Sequence, residues 1–271
     1  MAHVAGETSL DFLRSVAERA ALAGGEVVRR GSADTEAGTK SGPGDYVTDV
    51  DRDSERAIGE VLVTAAPEIP MLGEEEGGRA GERYWVVDPL DGTTNFLHRF
   101  HAVGVSVALV EHGRPVVGVV HAPFLEETYS GARGLGAALR RPGAGGARRL
   151  HVSDRDAGHA VVATGFPFRR KELIPRYGRM FLASLERFED LRRPGAAALD
   201  LAWVAAGVFD GFFELRLSAW DVAAGALLIE EAGGVATDWE GGPDYLAGNI
   251  LAGPPQVHEV LLELARETST P

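Results

Sequence analysis

The stretch WVVDPLDGTTNFLH, Trp85 to His98, decides how this chain is read. A short β-type run from Tyr84 to Val87 delivers Asp88, Pro89 turns the backbone, and Asp91 returns to the same place. Gly92, Thr93 and Thr94 then open a helix. Two carboxylates set around a fixed turn can bridge a hard divalent cation, and the carbonyl of Leu90 between them is an additional oxygen ligand. Gly92 allows close approach of the backbone to a ligand, and amides at 92 to 94 would face an anion. One loop can therefore carry both metal and phosphate. Taken singly, Asp, Pro, Gly and Thr are ordinary turn residues, so the whole run carries the reading.

Working outward, Ser9 to Arg30 places Leu13, Val16, Ala20, Ala23 and Val27 at steps of three and four, the period of an amphipathic helix, with Gly31 as its stop. Gly38 to Tyr46 reads as a loop. Thr48 and Asp49 start a second helix bearing Ala57, Ile58, Val61 and Leu62, closed by Pro67 to Pro70. Met71 to Gly73 is an apolar approach to Glu74, Glu75 and Glu76; the last two suit a solvated acidic turn. Beyond the central stretch, Val103 to Val110 and Pro115 to His121 read as antiparallel strands joined by a hairpin at Glu111 to Arg114. The Arg, Gly and Pro-rich segment at 140 to 150 marks a domain change. It divides the chain into an N-terminal portion, residues 1–150, with the carboxylate loop, and a C-terminal portion, residues 151–271. The C-terminal portion alternates: a strand at His159 to Ala163, helices at Leu173 to Leu191 and Ala197 to Val208, and a strand at Phe212 to Leu215. A helix at Asp221 to Ala232, a strand at Val235 to Thr237 and a helix at Gln256 to Arg266 complete it. Alternation of this kind means α/β layers. Glu214 ends an aromatic strand and Asp221 opens a helix; each alone is an ordinary strand end or cap.

Composition narrows the function classes. The absence of Cys removes disulfides, Cys-bound zinc, iron–sulfur clusters and thiol nucleophiles. Forty acidic against 27 basic residues, net −13, argues against a protein that grips a nucleic-acid backbone, and an anionic substrate would need a metal or local cationic help. No apolar run approaches the roughly 18 residues of a membrane span. Glu7, Asp11 and Arg14 interrupt any secretory signal, so a cytoplasmic protein is expected.

Together these segments resemble the inositol monophosphatase family. Its first signature stands here as WVVDPLDGTTNF (Trp85 to Phe96) and its second as WDVAAGALLIEEAGG (Trp220 to Gly234). Between and before them lie Lys40, VTDVD ending at Asp51, GEE at 73 to 75, TGFPF at 164 to 168 and GAAALDLAWVAAGVFDGFFE at 195 to 214. Two long signatures in order make chance agreement very improbable. The resemblance implies a layered αβαβα sandwich of α+β and α/β character, with the site between the two portions. It implies two or three Mg²⁺ ions: one on Glu74, Asp88 and the Leu90 carbonyl, a second on Asp88, Asp91 and Asp221, and a weaker third on Glu74 with waters. Thr93 and Asp51 would orient the attacking water. Asp91, Gly92, Thr93, Gly195, Ala196, Ala197, Glu214 and Asp221 would meet the substrate, and Lys40 would lie on a loop near the metal and phosphate.

The activity so implied is Mg²⁺-dependent hydrolysis of a phosphate monoester, inositol 1-phosphate first. Histidinol phosphate, fructose 1,6-bisphosphate, 3′-phosphoadenosine 5′-phosphate and NADP are the alternatives within the class. The resemblance also implies a homodimer and lithium sensitivity, and from a different class a regulatory role with a protein partner. Ala196 departs from the family's common Ser or Thr, removing a hydroxyl near the substrate, and Ala219 departs from its common Pro. His98, His101 and His121 are read as structural, since a carboxylate site suits Mg²⁺ better than imidazole. Arg169 and Arg170 could meet a substrate anion or a neighbouring subunit, but a solvated turn is the reading preferred.

Overall fold

Three groups of buried apolar side chains set the order of the layers. The structure, a computed structural model, describes residues 9–33, 37–42 and 45–269. Among the described residues the helices are α1 (Leu10–Arg30), α2 (Asp49–Ala65), α3 (Thr93–Leu97), α4 (Ile174–Arg187), α5 (Ala197–Ala205), α6 (Ala219–Glu231) and α7 (Pro255–Glu267). A hairpin pairs β1 (Gly38–Gly42) with β2 (Asp45–Val47). A seven-stranded sheet runs in chain order from β3 (Met71–Gly73) through β4 (Arg83–Asp91), β5 (Gly104–Glu111), β6 (Arg114–Ala122), β7 (Glu127–Ala132) and β8 (Gly136–Arg140) to β9 (Arg148–Arg149). A five-stranded sheet holds β10 (Val161–Thr164), β11 (Asp190–Arg192), β12 (Gly211–Glu214), β13 (Val235–Thr237) and β14 (Ile250–Gly253), ordered β11-β10-β12-β14-β13.

The strands sort their side chains by alternation. In β5, Val105, Val107 and Leu109 join Leu13, Val16, Ile58 and Leu62 of α1 and α2. From the same strand Ala108 and Val110 face the opposite way, into the core shared with α5 and α6. The second sheet repeats the device: Phe212 points into the α5/α6 core, while Phe213 packs with Tyr177 and Met180 of α4 and with Val257, Leu261 and Leu264 of α7. Since each sheet is apolar on both faces, each must be covered on both. The result is the expected αβαβα order: α1/α2, seven strands, α5/α6, five strands, α4/α7.

Several local readings change. Residues read as a loop at 38 to 46 include the strands β1 and β2. The strand read as ending at Val87 continues to Asp91, with a shift in pairing between Asp88↔Ser106 and Asp91↔Gly104. Three steps along β4 oppose two along β5, so the loop that holds both carboxylates is a bulge, and the extra residue bends the backbone. The helix read to Leu191 stops at Arg187, and residues 190 to 192 form an edge strand parallel to β10. On α1, Ala23 and Val27 are only half-buried, and the seam shifts to Gly24, where a methyl group would sit 2.7 Å from Ile58 of α2. Close helix approach, not apolar period alone, sets that contact.

Candidate active site

The site is assembled from the ends of elements on both sheets. β3 runs parallel to β4 and leaves Glu74 just past its end, next to the β4 bulge. Asp88 and Asp91 come from that bulge, Glu214 from the end of β12, and Asp221 from the first turn of α6. Glu74, Asp88, Leu90, Asp91, Gly92, Thr93, Gly195, Ala196, Ala197, Glu214 and Asp221 all line one cavity of about 660 Å³. Asp51 lies behind it, 1 % exposed, and reaches it through Thr93. Lys40 falls on β1, and its side chain lies outside the described residues.

Backbone donors fix Asp88, Asp91 and Asp221. Asp88 Oδ1 accepts from Leu90 N at 3.0 Å. Asp91 Oδ2 accepts from Ala198 N at 2.8 Å and Leu199 N at 3.4 Å, capping α5 from another element. Ala196 stands at the N-cap of α5 with no side-chain bond of its own, so Asp91 supplies the oxygen that a capping Ser or Thr would offer. Asp221 Oδ2 accepts from Ser218 N at 2.6 Å in a capping box, so the capping reading and the cluster reading of Asp221 both hold. Gly165 of the GFPF segment explains itself at Glu214: a Cβ there would lie 2.0 Å from the carboxylate.

Thr93 and Asp51 form a relay of fixed polarity. Thr93 Oγ1 donates to Asp51 Oδ1 at 3.1 Å, with the Leu90 carbonyl a more distant acceptor at 3.3 Å. Asp51 is held by Thr48, whose N and Oγ1 donate to Oδ2 at 2.7 and 2.5 Å. Gly92, with φ 90, turns the chain from the bulge into α3 so that Thr93 faces the cavity.

The acids strain one another electrostatically. Burial, then repulsion from Glu74, Asp91 and Asp221, pushes Asp88 well above the ordinary carboxylate range. Burial raises Asp91 against the pull of the α5 amides, and burial with Glu74 and Asp91 raises Asp221. Glu214 is pushed up to about 8 by burial and by Asp221, against the nearby Arg193. Ligand oxygens of Asp88, Asp91 and Asp221 all lie within 4.8 Å of one another. An all-oxygen set of converging acids fits a hard divalent cation, which would relieve the repulsion that burial creates.

Two polar residues missed in the sequence hold this arrangement. Ser54 Oγ donates to the Pro89 carbonyl at 2.8 Å, and the buried Glu55 carboxylate accepts from Glu75 N and Glu76 N, both at 2.8 Å. Both sit on the buried stripe of α2 with Asp51, Ile58 and Leu62. Polar residues on an apolar helical face are the signal that could have found them. The histidines lie elsewhere among the described contacts: His101 stacks on Phe124 at 4.9 Å, and His121 Nδ1 lies 3.0 Å from Thr128 Oγ1. Arg169 and Arg170, read as a solvated turn, line the cavity with Arg193 and Arg216.

Known proteins resemble this chain over nearly its whole length. Nus factor SuhB of Escherichia coli K12 is 40% identical over 259 residues, covering 93% of this chain and 95% of that protein. The fructose-1,6-bisphosphatase/inositol-1-monophosphatase of Aquifex aeolicus is 39% identical over 257 residues, covering 93% and 94%. Among solved structures, the inositol monophosphatase of Anabaena superposes with a TM-score of 0.84 at 36% identity, over 96% of this chain and 97% of that one. The model of the inositol monophosphatase family matches residues 9–270, and this chain belongs to that phosphatase family.

Proposed function

We propose that this protein hydrolyses phosphate monoesters with Mg²⁺, taking inositol 1-phosphate or a similar polyol phosphate as substrate. The observation that carries the reading is the convergence of Asp88, Asp91 and Asp221 beside the Thr93–Asp51 pair in one cavity. Glu74, Asp88, Asp91, Asp221 and the Leu90 carbonyl would hold the metal. Bound there, Mg²⁺ supplies neutralisation of the phosphate oxygens and an acidified water near neutral pH.

The remaining work falls to the chain. The Thr93 hydroxyl has one proton, and the nearby Asp51 carboxylate claims it, which leaves the Thr93 oxygen as an acceptor facing the cavity. That oxygen accepts from the attacking water and aims it at phosphorus. As the water oxygen bonds to phosphorus, the bond to the alcohol oxygen breaks; one proton of the water passes to the departing alkoxide and the other stays on the phosphate, so the monoester and water give the alcohol and hydrogen phosphate. The amides of Gly92 and Thr93 hold phosphate oxygens, while Glu214 and Asp221 orient the alcohol. Residues 1–150 thus supply most of the hydrolytic centre, and residues 151–271 add Asp221 to it together with the wall that reads the alcohol.

Phosphate release tests this, measured with and without Mg²⁺ on inositol 1-phosphate, histidinol phosphate, fructose 1,6-bisphosphate, 3′-phosphoadenosine 5′-phosphate and NADP, beside Asp88→Asn. Mg²⁺-dependent turnover abolished by the substitution is the expected result; no turnover of any of them would overturn the reading. The relatives called Nus factor SuhB, at 40% identity, favour a second role in binding a protein partner, which pull-down with transcription factors would test.

A further inference from the structure

Ser106 stands directly across from Asp88 on β5, the last regular pair before the bulge, and it is fully buried. Residues paired in this way send their side chains to the same face of the sheet, here the face that α5 and α6 cover. On that face the Ser106 hydroxyl donates to the Trp220 carbonyl at 2.9 Å, across 114 residues of chain. The residue after Trp220 is Asp221. One hydroxyl thus joins the strand partner of Asp88 to the helical turn that carries Asp221.

The bond matters because of how α6 is seated. Ala108, Gly118, Gly131 and Ala137 pair in a single row across β5, β6, β7 and β8. The row is a trough of small residues, and α6 lies in it. A Cβ on Gly118 would stand 2.7 Å from the Ala224 carbonyl oxygen, and one on Gly131 3.2 Å from Leu228 Cδ2. Such a seat fixes the height of the helix, but with few bulky side chains to interlock it does little to fix where the helix lies along its own axis. Polar ties at the two ends supply that. At the C-terminal end Glu231 accepts from Gly134 N at 2.9 Å and from Gly136 N at 2.8 Å, in the turn between β7 and β8. That anchor is about 15 Å from Asp221 along the helix. At the N-terminal end the tie is Ser106. The Asp221 carboxylate accepts from Ser218 N at its own helix start, so it travels with that turn.

We propose that Ser106 is a positioning residue for the metal centre: by holding the first turn of α6 against the partner of Asp88, it sets the spacing of Asp88 and Asp221. This rests on the metal-dependent reading given above. The helix ladder uses one lone pair of the Trp220 carbonyl and Ser106 takes the second, so removing the hydroxyl orphans no helical carbonyl and loosens the turn without unfolding it. Loosening costs the two hard cations unequally. Mg²⁺ demands near-ideal octahedral ligands at about 2.0–2.1 Å, whereas Ca²⁺ accepts irregular sets at about 2.3–2.6 Å.

The test is calorimetric titration of the metal-free full chain with Mg²⁺ and, separately, Ca²⁺, for wild type, Ser106→Ala and Glu231→Gln, with melting temperatures alongside. In Ser106→Ala, Mg²⁺ affinity should fall about tenfold, the usual scale for a residue that orients a ligand. Ca²⁺ affinity should fall less, so that the Mg²⁺/Ca²⁺ ratio drops at least about threefold. Glu231→Gln, altered at the distant anchor, should melt lower with the wild-type ratio. Ser106→Cys, which fills the space and donates weakly, should fall between, and it reads the same ratio if the alanine variant does not fold. Mg²⁺ affinity within about twofold of wild type in Ser106→Ala overturns the proposal and leaves the metal centre standing. A ratio that shifts as far in Glu231→Gln also overturns it, because the whole helix seat and not Ser106 would then set the spacing. Failure of wild type to bind either ion refutes the metal reading itself, and the role of Ser106 with it.

Discussion

Glu55→Gln tests whether α2 positions the metal loop or merely packs beneath it. The Glu55 side chain is fully buried, and its two oxygens accept one amide each, from Glu75 and Glu76 at 2.8 Å. Glutamine has the same shape but offers one acceptor oxygen and an NH₂ group, so one loop amide keeps its partner and the other faces a donor. A hydrogen bond to a charged acceptor contributes about 1.5–3 kcal/mol. With the loop half-buried, the lower end is the right scale, about 1.5–2 kcal/mol. The loop carries Glu74, so the loss should appear where Glu74 works. At about 1.4 kcal/mol per decade, the Mg²⁺ concentration for half-maximal phosphate release should rise about tenfold. The rate at saturating Mg²⁺ should stay near wild type, and the metal-free protein should melt a few degrees lower. A lowered melting temperature with Mg²⁺ half-saturation within about twofold of wild type would show that Glu55 is a packing residue, and would refute the reasoning.

Other substitutions separate roles within the site. Thr93→Val removes the hydroxyl that Asp51 orients, and kcat should fall about 10²-fold or more with KM little changed; a loss confined to KM would contradict the water-orienting role. Gly165→Ala places a methyl group 2.0 Å from the Glu214 carboxylate. It should raise KM for a polyol phosphate without altering the Mg²⁺ requirement, and a shifted Mg²⁺ requirement would contradict the division between floor and wall. Burial lowers the pKa values of His121 and His258, so the folded chain keeps both neutral while the unfolded chain protonates them below about 6.5. Their contribution is therefore complete above about pH 6.5 and is lost as pH falls through the lowered folded values. Urea midpoints from pH 7 to 5.5 should fall less steeply for His121→Asn than for wild type, and parallel slopes would contradict this.

The legibility of the chain follows the range of the forces. Helix caps at Ser9, Thr48 and Ser218 are local, and the starts of α1 and α2 fall within a residue of their sequence signals. The strands β5 and β6 were legible because both are rich in the β-branched residue Val and a hairpin-length turn separates them. The strands β7 (ETYSGA), β8 (GAALR) and β14 (ILAG) were not, because small residues give no period and their pairing is set by distant neighbours. The same divide runs through the site. Asp88 and Asp91 announce themselves by spacing around Pro89, and Glu214 and Asp221 by resemblance. Glu55 and Ser54 act across 20 to 35 residues of chain, and Ser106 across 114.

The most direct test is calorimetric titration of metal-free protein with Mg²⁺ and Mn²⁺, wild type against Asp91→Asn. The substitution keeps an acceptor for the Ala198 amide and removes one charge from the cluster. The account predicts saturable binding to wild type, a rise in melting temperature with Mg²⁺, and loss of at least about tenfold in affinity in the variant, by analogy with other disrupted metal sites. Absence of binding at millimolar Mg²⁺, or equal affinity in the two proteins, would contradict the claim that these buried acids form a metal centre.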